Sequence, residues 1–188
     1  TKLNKKPLSK EELSILENKE FINERLATVR DVFVFQCYTG LAYIDVFKLK
    51  KSDITKDEEG NLWIRTNRQK TDANITIPLL PKARQIMEKD KDHPVCTYKD
   101  IVLPVRSNQK MNDYVKTLGQ EAGIDEPIRE TYYQGNKRID EVKPKHEHLS
   151  THVGRRTFIC TALYLSKIAR LCLFSSTRRR SFVFLVTN

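Results

Sequence analysis

Apolar positions along this chain change their spacing several times, and each change marks an element. Ser9-Lys10-Glu11-Glu12 has the form of a capping box, and Leu13 and Leu16 follow it, which predicts a short helix from Lys10 to about Asn18. From Asn23 to Tyr38 the apolar residues Leu26, Val29, Val32, Phe33, Phe35 and Cys37 cover much of a helical circumference, so a central buried helix is expected. Gly40 suits its left-handed C-terminal cap, and Leu41 to Leu49 begins another short helix. The spacing then shortens. Ser52-Asp53-Ile54 reads as a turn, Leu62 to Thr66 as a strand and Asn74 to Ile77 as its returning partner, stopped by Pro78. Asp57 to Asn61 is the loop of one hairpin, and Asn67 to Asp72 is the polar turn of the next.

Helical spacing returns after Pro81 and runs to Lys91, where His93-Pro94 breaks it. Ile101 to Val105 is an apolar stretch. A further helix starts at Ser107-Asn108, carries Met111, Tyr114, Val115, Leu118 and Ala122 inward, and ends at Gly123. Glu126 to Tyr133 and Lys137 to Val142 read as a second hairpin around Gln134-Gly135-Asn136, followed by a basic Lys143-Pro144-Lys145 run expected to be a solvated edge. A last helix starts with Ser150 or Thr151 as N-cap. It is expected to bury a face made of Val153, Phe158, Ile159, Ala162, Leu163 and Leu165.

Composition narrows the classes. The chain has 188 residues with 39% hydrophobic and 31% charged content, which suits one domain with a modest core. No run is long and apolar enough to span a bilayer, and the basic, polar start shows no secretory segment. A net charge of +10 favours a polyanionic partner such as nucleic acid, with an anionic membrane surface or simple solubility as the other readings of the charge. Cys37, Cys96, Cys160 and Cys172 form no C-x-x-C pair, and three have apolar or aromatic neighbours, so buried free thiols in a reducing cytoplasm are expected. His146 and His148 lack the companions of a metal set, so no metal site is expected.

The candidate chemistry gathers at His152-Val153-Gly154-Arg155-Arg156-Thr157-Phe158. His152 and Arg155 stand one turn apart on the last helix and project together, while Arg156 points elsewhere. An imidazole, a guanidinium and the free N–H groups of a helix start suit an anionic oxygen, most simply a phosphate.

This stretch resembles the H-x-x-R box of the tyrosine recombinase (phage integrase) family. Tyr38-Thr39-Gly40-Leu41, with Asp45-Val46 and Leu49, is similar to the family's T-G-L-R box. Lys70-Thr71 matches its basic hairpin residue, and a hairpin directly before the His152 helix is familiar in integrases resembling those of Bacteroidetes mobile elements. The resemblance covers roughly Pro7 to Leu165. It implies a mainly α fold with small β-hairpins (α+β), of the DNA breaking-rejoining catalytic-domain type. Residues 1–8 would be a linker from a core-binding domain, 9–165 the catalytic domain, and 166–188 a divergent tail. The implied activity is site-specific recombination and integration of a mobile element, through a 3′-phosphotyrosyl bond and without metal or nucleotide cofactor. Arg155, His152 and Lys70 would be catalytic, and Arg68, Thr71 and Arg156 would contact DNA. The implied partners are double-stranded DNA and other protomers, as a tetramer, and the implied place is the bacterial cytoplasm at the nucleoid, with no membrane contact.

Two departures stand out. Ala42 occupies the place of the family's first arginine, and Arg68 is the expected substitute because it neighbours Lys70. Beyond the His152 helix, residues 166–188 contain no His, Trp, Gly or Tyr, so the family's later box and its nucleophile have no counterpart. Tyr164 lies within the His152 helix, where the pattern has no nucleophile. A DNA-binding remnant without cleavage is therefore the alternative. A helix–turn–helix regulator built at Thr39-Gly40 fits less well, because of the two hairpins and the His152 box.

Overall fold

The computed structural model describes residues 6–67, 74–135 and 137–175. Helix α1 (Lys10–Asn18) starts at the expected capping box: Ser9 N–H donates to Glu12 Oε2 at 2.7 Å and Glu12 N–H donates to Ser9 Oγ at 3.2 Å. Helix α2 (Glu24–Thr39) is the hub. Asn23 caps it by accepting from Arg25 N–H at 2.9 Å, and Gly40 ends it at φ 67°. Val29, Val32, Phe33, Val34, Phe35 and Cys37 are buried on every side of it, because α1 and three later helices pack around it.

A short α3 (Tyr43–Phe47) follows, with Ala42 as its N-cap and no side-chain cap bond. Strands β1 (Ile54–Lys56), β2 (Leu62–Asn67) and β3 (Asn74–Pro78) form an antiparallel sheet in that order, with Ile64 of β2 opposite Ile54 and Ile77. Asp57 organises the β1–β2 turn by accepting from Asn61 N–H at 2.8 Å and Trp63 Nε1–H at 2.8 Å. These bonds, the Trp63 one first, hold its carboxyl below the ordinary range. Pro78 does not stop the strand one residue short, since it still pairs with Trp63.

Helix α4 (Pro81–Asp90) begins with Pro at its first turn. It ends before His93-Pro94, as expected, and Pro94 then opens a further short helix α5 (Pro94–Lys99), where His93 Nδ1 accepts from Val95 N–H at 3.2 Å. Helix α6 (Asn108–Glu121) buries Met111, Val115 and Leu118. Strands β4 (Pro127–Gln134) and β5 (Lys137–Pro144) pair as a separate hairpin. The chain leaves the body at Glu126 and returns at Lys145, whose N–H donates to Glu126 O at 2.9 Å. Lys145 is not the solvated edge expected of it. It is buried, and its ammonium meets Glu12 at 2.7 Å and Glu126 at 3.4 Å.

Helix α7 (Thr151–Ser175) closes the order. Its expected apolar face is only partly realised. Val153 is buried, and Phe158 and Ala162 are half-buried. Ile159, Leu163 and Leu165 are 41%, 63% and 45% exposed, because the helix runs on past the body that covers its first two turns. Leu8, within the expected linker, belongs to the core, and its N–H donates to the buried Thr157 Oγ1 at 3.0 Å. Cys37 and Cys96 are buried free thiols, whereas Cys160 is exposed. Burial pushes the Cys96 thiol up to about 11 and raises Cys37 further. The architecture is thus mostly helical with small antiparallel sheets.

Candidate functional site

The site forms where the end of α2 meets the start of α7. Two small residues make the approach possible. At Gly154 a Cβ would lie 3.1 Å from Gln36 Cβ and 3.3 Å from the Phe33 ring, so the absent side chain lets α7 settle on α2. At Gly40 the left-handed backbone turns the chain, and the Phe158 ring occupies the space a Cβ would fill.

With the helices this close, Arg155 Nη1 donates to Gly40 O at 2.6 Å, across 115 positions of sequence. The Thr39-Gly40-Leu41 turn and the His152-x-x-Arg155 turn are therefore one local structure. Arg155 is half-buried, and among the described residues its side chain has one hydrogen bond, so the fork has further donors to offer. His152 is exposed in the same turn of α7, and Arg156 is half-buried.

Other side chains fix the start of α7. Thr151 N–H donates to Asn112 Oδ1 at 3.0 Å, and Thr151 Oγ1 to the same oxygen at 3.3 Å. Asn108 Oδ1 lies 3.5 Å from Thr151 Oγ1. Helix α6 thus supplies a cap from outside the sequence neighbourhood of His152. Nothing in the spacing marks Asn108 or Asn112 for this role, since both read simply as polar positions of a helix start. Under the same turn, Gln36 is buried and its Nε2–H donates to Leu41 O at 3.3 Å. Asp45, in the first turn of α3, is buried beside this corner of the fold.

Arg68, Lys70 and Thr71 fall in sequence between β2 and β3 and lie outside the described residues. Tyr164 is 66% exposed on the unbroken α7, twelve residues and roughly 18 Å beyond His152 at the helical rise. Among the described residues no cluster of His, Cys, Asp and Glu could hold a metal ion. Nor is any helix there long and apolar enough to cross a membrane. A cavity of about 340 Å³ lies along the middle of α2, between α1 and α4. Its charges are largely compensated, with Asp31 bonded to Arg30 at 2.7 Å and Lys89 at 2.5 Å.

No protein-family model and no curated sequence matches this chain. Solved structures do. The XerH site-specific recombinase bound to difH substrate, in a pre-cleavage complex, superposes with TM-score 0.55 at 17% identity, over 89% of this chain and 45% of XerH. Its post-cleavage complex on palindromic difH gives the same score and identity over 44% of that chain. The XerA recombinase gives 0.55 at 16% identity, over 93% of this chain and 66% of XerA. The chain therefore has the fold of part of these recombinases and spans under half the length of XerH.

Proposed function

We propose that this chain is a recombinase catalytic-domain unit that binds duplex DNA and holds one backbone phosphate against His152 and Arg155. The observation that carries the reading is the Arg155–Gly40 bond, which joins the two boxes of the resemblance into one corner. Arg155 neutralises a non-bridging oxygen through its remaining donors, and His152 donates to a second oxygen or moves a proton near neutral pH. In this reading, as the resemblance implies, Lys70 would serve the leaving 5′-oxygen, and Arg68, Thr71 and Arg156 would contact neighbouring phosphates. In the longer assembly implied by the resemblance, other protomers on DNA would complete site-specific recombination and the integration of a mobile element.

This chain binds without cutting. Attack on phosphorus needs a phenol in line and near contact. Tyr164 stands roughly 18 Å up a continuous helix from His152, so it does not serve the phosphate held by its own chain.

The test is titration of a labelled duplex across a salt series, together with incubation on a nicked suicide duplex and denaturing electrophoresis. The expected result is affinity that falls steeply with salt, and no covalent band. Salt-independent binding rejects the phosphate site. A covalent band lost in Tyr164→Phe rejects the non-cutting reading.

A further inference from the structure

The methyl group of Ala42 leaves one corner of the site without the cation that the resemblance places there. A different arginine is held beside that corner by its backbone. Tyr43, next after Ala42, donates its Oη–H to Arg106 O at 2.9 Å, so the segment before α6 is tied to the first turn of α3. Two residues beyond Arg106, Asn108 lies against Thr151, the neighbour of His152. Arg106 is thereby flanked by the starts of α3 and α7.

Among the described residues nothing accepts a hydrogen bond from the Nε of Arg106. Arg106 is half-buried, and its Nε is shielded from solvent with no hydrogen-bond acceptor. Among the described residues no carboxylate pairs with its guanidinium. A guanidinium nitrogen withdrawn from water without an acceptor costs stability. The Tyr43 bond reaches only the Arg106 backbone, so it fixes position without discharging the side chain. An arriving phosphate oxygen would find a full positive charge already in place on a half-buried side chain.

We propose that Arg106 is a phosphate-binding residue that supplies, from the α5–α6 connection, the charge Ala42 cannot. The ligand is a non-bridging oxygen of the DNA backbone, and the proposal rests on the DNA-binding reading above. Arg106 and Arg155 then share the neutralisation of that phosphate.

The experiment uses this chain and a short labelled duplex of arbitrary sequence, titrated across salt concentration for the parent, Arg106→Met, Arg106→Lys and Arg155→Ala. For Arg106→Met the slope of log affinity against log salt falls by about 0.9, the share of one phosphate contact. Arg106→Lys restores that slope, because the charge returns. Without DNA, Arg106→Met melts at or above the parent temperature, since an unpaired, partly buried charge has gone. Three results overturn the proposal. If Arg106→Met melts well below the parent, the arginine is structural. If its slope is unchanged while Arg155→Ala lowers its own, the corner is filled by another cation and the DNA reading survives. If the parent itself shows no salt dependence, the DNA reading and the Arg106 role fall together.

Discussion

The Phe158 ring lies over the Cα of Gly40, in the volume that any other residue's Cβ would need. Gly40 also holds φ 67°, which L side chains rarely adopt. The two constraints add at one position. Gly40→Ala should lower stability by about 2–4 kcal/mol, combining backbone strain with overpacking. Gly60→Ala, at φ 84° but with open space around it, should cost only about 1 kcal/mol. Urea unfolding of the two variants separates the terms.

Under the proposed function Arg155 has two tasks, and lysine can perform one at a time. In Arg155→Lys the charge remains, so the salt slope of DNA binding should stay close to that of the parent. The single ammonium cannot hold Gly40 O and a phosphate as a fork does. Affinity should fall several-fold, and unfolding should become easier by about 1 kcal/mol. Anisotropy titration and a melting curve on one preparation read both effects.

Lys145 joins α1 to the base of the β4–β5 hairpin through Glu12 and Glu126. Its side chain is 5% exposed and that of Glu12 17%, so removing the ammonium leaves a largely buried carboxylate unpaired. Lys145→Ala should cost about 2–4 kcal/mol. Lys6 meets the same Glu126 at 3.1 Å, but both side chains are 49% exposed, and Lys6→Ala should cost under about 1 kcal/mol. Chemical denaturation of the two variants checks the contrast.

Asp90 is buried with one carboxylate oxygen unpartnered, and burial, then the nearby Asp31 charge, raises its pKa above the ordinary 3.8. The folded state therefore keeps this proton where the unfolded chain has lost it. Asp90 costs no stability below 3.8, and its cost grows as pH climbs through the window between that value and the folded one. Asp90→Asn should be more stable than the parent at neutral pH, by on the order of 1 kcal/mol. The advantage should vanish in strong acid. Melting curves across pH read the convergence.

Features written in adjacent residues were the legible ones. The Ser9–Glu12 box sets α1, Gly40 ends α2, and the two hairpins follow from alternation around polar turns. What escaped depends on distant partners. Strand β1 is only three residues long and exists because β2 pairs with it. Pro94 follows the end of one helix and also begins another, whose first turn the His93 ring caps. Lys145 reads as a surface charge until Glu12, 133 positions earlier, is brought against it. At the site, His152 and Arg155 are visible as a spacing. The Gly40 carbonyl that orients Arg155 and the asparagines that cap Thr151 are contacts of folding, with no local signature.

The two feet of the β4–β5 arm are also joined to each other. The backbone departs at Glu126 and re-enters at Lys145 one hydrogen bond away, and Pro127 faces Pro144 across the first rung. Lengthening or shortening the arm by whole rungs leaves that separation as it was. Natural variation can therefore adjust the reach of this arm through small in-frame gains and losses, while α6 and α7, and the corner they hold at Thr151, keep their spacing.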